Sequence, residues 1–440
     1  MSTDTKAYMC SICGEIVREE YPPETCPVCG AKRESFQEVE SDDTLFKASE
    51  ELKIIIVGGG PAGTTAASEI RKRNKACQIE IIGKEDVLGY NRPRLTKGLM
   101  KNLDMTGFFI KDYPWYVENK IKITLSTEVT KIDALGKTIT LEDGSTRSYD
   151  KLIITTGAKS QVPKMEGLEL PGVFTLRSLK DVETIKEYIK TGVKTAAVIG
   201  GGVLGLETAS ELNKEGLKVT LIQRSGIIMR KQLDQEGALF LEDIIKSKGV
   251  DIKTNVDIKG ITGKGKAEGV MVSDQVVPAE LVIISAGVIE NQSIAEQAGA
   301  QVEKGIIVNE KMETSLADIY AAGDCARFKG KNYALWPEAT AMAKVAAQNA
   351  VGEDASYEGI LPSVSFVGFD TALFSIGDHG EDETKVYETK ENISRGKGVY
   401  KKYYFEDGKF VGGILIGDTK ALTELLSACK TKKPMDEMSI

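Results

Sequence analysis

The stretch KIIIVGGGPAG, Lys53 to Gly63, decides how this chain is read. Ile54, Ile55, Ile56 and Val57 make an unbroken apolar run of strand length, the pattern of a strand covered on both faces. Gly58, Gly60 and Gly63 follow in G-x-G-x-x-G spacing around Pro61 and Ala62, and TTAASEIRKR continues with helical composition. Strand, glycine turn and helix N-terminus form a pyrophosphate cradle: the glycines admit the phosphates close to the backbone, and the free N–H groups and dipole of the helix face their charge. The same pattern recurs in KTAAVIGGGVLGLETASEL, with Gly200, Gly202 and Gly205. Two such units predict two bound dinucleotides.

The chain has 440 residues, enough for about three domains, and 41% of them are hydrophobic. No run of eighteen apolar residues occurs and MSTDTKAYMC has no apolar segment, so a cytoplasmic protein without a membrane span is expected. Of the net charge of -8, residues 1–50 carry -6, with eleven acids against five bases. An acidic small module on a nearly neutral body argues against a nucleic-acid partner. A single histidine, His379, weakens any mechanism that needs a histidine base; it reads as an exposed loop residue.

Four of the seven cysteines crowd into YMCSICGEIVREEYPPETCPVCG, residues 8–30. Cys10 and Cys13 form one C-x-x-C-G turn, and Cys26 and Cys29 another. Two such turns can present four thiolates to one tetrahedral metal, which then also folds a module too short to bury a core. Four thiolates accept zinc or iron, and the ligand set alone does not choose between them. The segment resembles rubredoxin-like domains, with Tyr8 before the first turn, C-P-x-C-G in the second and Phe36 soon after, and its short spacing is similar to the small module of rubrerythrins. Glu15 departs from the full-length pattern, which has an aromatic there. The resemblance implies iron, with zinc as the alternative. Residues 41–52 read as a linker or short bridging helix, spanning about 20 Å if flexible.

After the first glycine unit, the strand QIEIIG leads to Glu85, placed where the ribose-binding acid of this fold belongs. The segment LGYNRPRLTKGLM then resembles NAD(P)H-dependent rubredoxin and ferredoxin reductases of the pyridine nucleotide-disulfide reductase superfamily, through Tyr90-Asn91-Arg92-Pro93 and Leu95-Thr96-Lys97. The likeness continues through Thr155-Thr156-Gly157-Ala158, IIMRKQLD, IYAAGDCA and LWPEATAMAKVAAQNAVG, from about residue 53 to 425. It implies that the first cradle holds FAD, with Arg92 near its phosphates and ribityl chain, Lys97 beside the flavin, Thr156 and Gly157 lining the site, and Gly323-Asp324 meeting the ribityl hydroxyls. Trp336 opens a helix aimed at the flavin edge; a place near the electron exit and simple core packing are both open for it. The disulfide reductases carry redox cysteines in the Asn91–Lys97 region, where this chain has none, so thiol–disulfide chemistry lacks its reagent.

In the second unit, Glu207 lies on the first turn of the helix, and the resemblance implies that it pairs with Lys97 and keeps the lysine protonated beside the flavin. The following strand ends in Gln223 and Arg224, where NADH-selective members have an acid. Glutamine does not repel a 2′-phosphate and arginine can pair with one, so use of NADPH or of both nucleotides is expected, against solvent exposure of Arg224 with NADH preferred. Asp143-Gly144 is a type I′ turn candidate, and Gly412-Gly413 reads as a turn.

The expected fold is α/β: two Rossmann-like dinucleotide-binding domains, a rubredoxin-like metal domain at the N-terminus and an α+β interface domain at the C-terminus. The boundaries are 1–40 for the metal domain, 53–160 with 281–358 for FAD, 161–280 for NAD(P), and 359–440 for the interface domain. The implied activity is an FAD-dependent NAD(P)H:rubredoxin oxidoreductase, with hydride passing to FAD and electrons then leaving singly for iron held by Cys10, Cys13, Cys26 and Cys29 or for an external rubredoxin-like acceptor. Arg327, Lys329 and Lys331 are the candidate face for the acidic module. The rivals are a reductase of another acceptor (ferredoxin, oxygen or a small molecule) with zinc in a docking module, and a redox-sensing binding protein.

Overall fold

Lys53–Val57 is the central strand of a five-stranded parallel sheet, in the order Ile319–Ala321, Lys151–Ile154, Lys53–Val57, Gln78–Ile82, Ile121–Thr124. Ile54, Ile55, Ile56 and Val57 are all buried, because structure covers both faces and no polar alternation is needed. The helices Pro61–Arg73 and Trp336–Ala350 pack against each other through small buried residues, among them Ala66, Ala67, Ala343 and Ala346. The computed structural model describes residues 6–10, 16–26, 32–39 and 46–440. These fall into two units, the first made of Met1–Asn91, Asp104–Lys159 and Ile289–Ile360. Within it the N-terminal module is a three-stranded antiparallel sheet, Ile16–Glu19, Lys6–Cys10 and Phe36–Val39 in that order.

The second unit comprises Arg92–Leu103, Ser160–Val288 and Leu361–Ile440. Its parallel sheet runs Val173–Thr175, Leu281–Ile284, Thr195–Ile199, Lys218–Ile222, Asp251–Lys253. Its C-terminal part is an antiparallel sheet of five strands backed by the helix Leu422–Thr431.

Several expectations need correction. A boundary at residue 281 cuts the second sheet, since Leu281–Ile284 lies between Val173–Thr175 and Thr195–Ile199; the chain returns to the first unit at Ile289. The excursion of Arg92–Leu103 into the second unit has no signal in composition. The expected linker 41–52 is not a free tether from Phe46 onward: the Ala48 N–H donates to the Arg73 carbonyl (2.9 Å), and Asn74 Nδ2 donates to the Glu50 carbonyl (2.9 Å). A type I′ turn needs positive φ at both central residues. At Asp143-Gly144 only the glycine has it, whereas Asp407-Gly408 has both, at 50° and 69°. Gly412 and Gly413 lie inside the strand Lys409–Ile416 rather than in a turn.

Candidate functional site

The two glycine loops are built alike. The Gly58 N–H donates to the Ile82 carbonyl and the Gly200 N–H to the Ile222 carbonyl, each at 2.8 Å, so each loop leaves its strand at the same point. A Cβ on Gly58 would collide with the carbonyl of Thr155, and one on Gly63 with that of Gly58; Gly200 and Gly205 stand in the same relation to Ser285 and Gly200. These four glycines are demanded by the fold. Gly60 and Gly202 are different: both have ordinary extended φ, -75° and -83°, and a Cβ on either meets nothing within 4 Å. Nothing among the described residues requires glycine there. The open space before each helix N-terminus fits a pyrophosphate, which uses that room and the N–H groups behind it.

Around the first cradle, Pro61 and Ala62 open the helix. The Thr155 hydroxyl donates to the Gly58 carbonyl (2.9 Å) and pins the turn. Thr156 and Asn291 bond reciprocally, the Thr156 hydroxyl to the Asn291 carbonyl (2.7 Å) and Asn291 Nδ2 to the Thr156 carbonyl (2.8 Å). Gly157 and Gly323 both have positive φ, and Gly323 lies close enough to Ala62 that a Cβ would stand 3.1 Å from that of Ala62. Glu85 is partly buried, and one carboxylate oxygen accepts from the Tyr90 hydroxyl (2.6 Å), which fixes the side chain. Asp324 is partly buried in the loop after Ile319–Ala321, and its carbonyl accepts from Asn332 Nδ2 (2.8 Å).

In the second unit, Gln223 is committed to its own chain. Its Oε1 accepts from the Gly201 N–H (2.7 Å) and its Nε2 donates to the Ser225 hydroxyl. It shapes the glycine loop instead of standing free for a ribose. Arg224 is exposed and forms no ion pair with the described residues. Arg92 donates to the Arg177 carbonyl (2.7 Å).

Lys97 and Glu207 do not form the expected ion pair. Lys97 Nζ bonds Glu211 (2.9 Å), one turn further along the helix Val203–Lys214, while Glu207 accepts from the Thr96 hydroxyl (3.2 Å). Burial pushes the Glu207 carboxyl up to about 7, against the lowering pull of Lys97 and the Thr96 hydroxyl. Glu211 is held below the usual carboxylate range by Lys97 and Lys214, despite its partial burial. Helical spacing of i and i+4 puts both acids on one face, so the sequence held a signal for Glu211 beside Glu207. A carboxylic acid with a raised pKa binds more protons folded than unfolded, so it opposes folding increasingly as pH rises from about 4.5 through about 7. Glu207→Gln is therefore expected to raise the melting temperature at pH 8 and leave it nearly unchanged at pH 5; an equal shift at both, followed by calorimetry, would refute the assignment.

In the module, Cys10 and Cys26 are buried thiols in one cluster, with Phe36 and Trp336 packed against them. Two adjacent buried sulfurs suit a thiolate metal site. The expected ligands Cys13 and Cys29 lie outside the described residues, and among the described residues no group of three candidate ligands occurs. Arg327 Nη1 donates to the Glu303 carbonyl (2.6 Å), and Lys329 lies over the Phe328 ring. His379 is partly buried rather than exposed, with Nε2 3.5 Å from Glu381. No helix among the described residues is long and apolar enough to cross a membrane.

Residues 52–343 match the family model described as pyridine nucleotide-disulphide oxidoreductase. The chain belongs to that family. Around this pyridine nucleotide-disulphide oxidoreductase core, residues 362–433 match the rubredoxin NAD+ reductase C-terminal domain and residues 8–37 the rubrerythrin, rubredoxin-like domain. The chain is 33% identical to the nitrite reductase [NAD(P)H] of Bacillus subtilis over 88% of its own length, but spans about half, 48%, of that relative. It is 34% identical to the NADH-rubredoxin oxidoreductase of Clostridium acetobutylicum, covering 88% of this chain and 97% of the other. The crystal structure of NADH:rubredoxin oxidoreductase from the same organism superposes with a TM-score of 0.73 at 32% identity, over 89% of this chain and 98% of that one.

Proposed function

We propose that the chain is an NAD(P)H-dependent flavoprotein that reduces a rubredoxin-type iron centre, its own or that of a separate acceptor protein. The observation that carries this reading is the pair of cradles, each with a glycine, Gly60 or Gly202, whose missing side chain serves none of the described residues. The cysteine-free Asn91–Lys97 segment directs the electrons away from a disulfide. FAD, when bound, supplies acceptance of a hydride and its release as single electrons.

The residues divide the remaining work. Gly58, Gly60 and Gly63, with the helix beginning at Pro61, hold the FAD pyrophosphate, and Glu85, fixed by Tyr90, takes its ribose. Thr156, Gly157, Gly323 and Asp324 line the first cradle, and Arg92 and Lys97 are, by likeness to the family, further FAD residues. Gly200, Gly202 and Gly205 hold the nicotinamide dinucleotide, with Gln223 keeping their loop in shape. Lys97 pairs with Glu211, and Glu207 is the neighbouring group able to exchange a proton near neutral pH. Cys10, Cys13, Cys26 and Cys29 are the residues that would hold the iron.

The test is metal analysis and the visible spectrum of the full chain, followed by anaerobic addition of NAD(P)H. Stoichiometric iron whose colour bleaches along with the flavin is the expected result; zinc in place of iron sinks the relay and favours a docking module. Arg224, exposed and unpaired among the described side chains, is positioned to meet a 2′-phosphate. Arg224→Ala is expected to raise the ratio of KM for NADPH to KM for NADH by about tenfold, the loss of one charge-assisted hydrogen bond. An unchanged ratio in steady-state kinetics would return Arg224 to solvent.

A further inference from the structure

The relay can end on the chain's own module or on a separate protein, and one contact bears on which. Cys10 is 0% and Cys26 3% exposed. Of the two rings packed against them, Phe36 belongs to the module, but Trp336 is the first residue of the helix Trp336–Ala350 in the dinucleotide fold. Candidate metal ligands are thus shielded by a side chain from a distant part of the sequence. The segment that presents Trp336 is tied down from both sides. Asn332 Nδ2 donates to the Asp324 carbonyl (2.8 Å), the Ala334 N–H donates to Asn332 Oδ1 (2.9 Å), and the Tyr333 N–H donates to the buried carboxylate of Glu338 (2.8 Å). The loop that begins at the candidate ribityl acid is therefore braced by hydrogen bonds up to Ala334, two residues before the ring that packs against the cysteines. The opposite side of the connection is also anchored, since residues from Phe46 onward are fastened to the end of the Pro61–Arg73 helix.

We infer that Trp336 is a positioning residue that docks the module in cis, with the Cys10 and Cys26 edge against its ring, so that the chain's own centre is the first acceptor. This inference rests on the relay reading above. Each NAD(P)H delivers two electrons as hydride. One electron reduces the ferric centre to ferrous; the second follows after the centre has been reoxidised by an external one-electron oxidant, and the proton stays on the flavin side or goes to water. Apolar contact carries the docking, through the packing of Trp336 against the two cysteines.

The test has two readouts on the full-length, flavin-loaded chain. In the first, Trp115→Phe leaves Trp336 as the single tryptophan of the two. Its fluorescence should be several times weaker with iron than with zinc in the thiolate site, because a ferric thiolate centre in contact quenches an indole; equal emission from both forms overturns the inference. In the second, stopped-flow mixing with NAD(P)H follows flavin and iron bands together. Trp336→Ala should slow iron bleaching relative to flavin bleaching by about ten- to a hundredfold, the scale expected for loss of positioning, and Trp336→Phe should restore most of it. Iron that keeps pace with flavin in Trp336→Ala overturns the docking role and leaves the relay standing. Iron that does not bleach in the wild type overturns the relay itself.

Discussion

Gly60→Ala is expected to melt with the wild type when both are stripped of nucleotide, yet to bind FAD about ten- to a hundredfold more weakly, while Gly63→Ala is expected to damage the fold itself. The two positions lie three residues apart in one motif, and the difference follows from what a methyl group meets. At Gly60 the backbone is ordinary extended chain and a Cβ has no neighbour within 4 Å, so alanine costs the protein nothing. The methyl group instead occupies the room of a phosphate, and a misfit of about 1–3 kcal/mol gives the stated loss of affinity. At Gly63 the new Cβ strikes the Gly58 carbonyl, so strand and helix must part or the turn must rebuild. Overpacking of this kind costs about 1–3 kcal/mol or more, here at the centre of the first core. Flavin titration and calorimetry of the two apoproteins separate the effects. A Gly60→Ala protein that binds FAD normally would falsify the assignment of that space to pyrophosphate.

Asp234→Ala should be the most destabilising single change in the second unit, by about 3–5 kcal/mol. Asp234 caps the helix Gln235–Ser247 by accepting from the Gly237 N–H (2.9 Å). The same carboxylate accepts from the hydroxyls of Tyr400 (2.9 Å) and Tyr404 (2.7 Å) and stands 3.1 Å from Lys402 Nζ. Removal strands two buried hydroxyls and a lysine left with only the longer 3.7 Å contacts to Glu236 and Glu391. These bonds hold the Asp234 carboxyl below the usual carboxylate range, in spite of its burial. The sign follows: a depressed acid contributes stability above its unfolded pKa of about 4 and loses it as pH falls through the folded value. The gap between wild type and Asp234→Ala should be widest near neutral pH and narrow in acid. Asp234→Asn, which keeps an acceptor for the cap and one hydroxyl, should fall between them. A gap that does not change with pH in denaturant titrations would show that the charge plays no part.

Both cradles were legible in the sequence because each is local: strand, turn and helix are contiguous, and the glycine spacing reports the backbone conformation directly. The helices behind Pro61 and Val203 and the buried run Ile54–Val57 follow from the same local rules. Partner choice within the site was less legible. Lys97 pairs with Glu211 and not Glu207, because which of two acids on one helix face meets a lysine depends on the path of the intervening chain. Gln223, which stands where NADH-selective members have an acid, also braces Gly201, an interaction between a strand end and a loop 22 residues away in sequence that no local rule announces. The boundary near 281 misled for a related reason. Leu281–Ile284 is an apolar run like the strands of either sheet, and only register with Thr195–Ile199 assigns it. The two Asp-Gly turns show the limit at its smallest scale, the same dipeptide being type I′ at 407–408 and not at 143–144.

The order of strands in the first sheet has a consequence for biosynthesis. Lys151–Ile154 is flanked by Lys53–Val57, made early, and by Ile319–Ala321, made late. Between them the ribosome completes every strand of the second parallel sheet. A nascent chain therefore carries Lys151–Ile154 as an open edge, a row of unpaired peptide groups, through the synthesis of more than a hundred residues. At about 5–20 residues per second, that exposure lasts on the order of ten seconds or more, and the helix Trp336–Ala350 that seals one face arrives later still. The second unit's parallel sheet can close first. The first must wait, and for that interval a chaperone has a defined target at the Lys151–Ile154 edge.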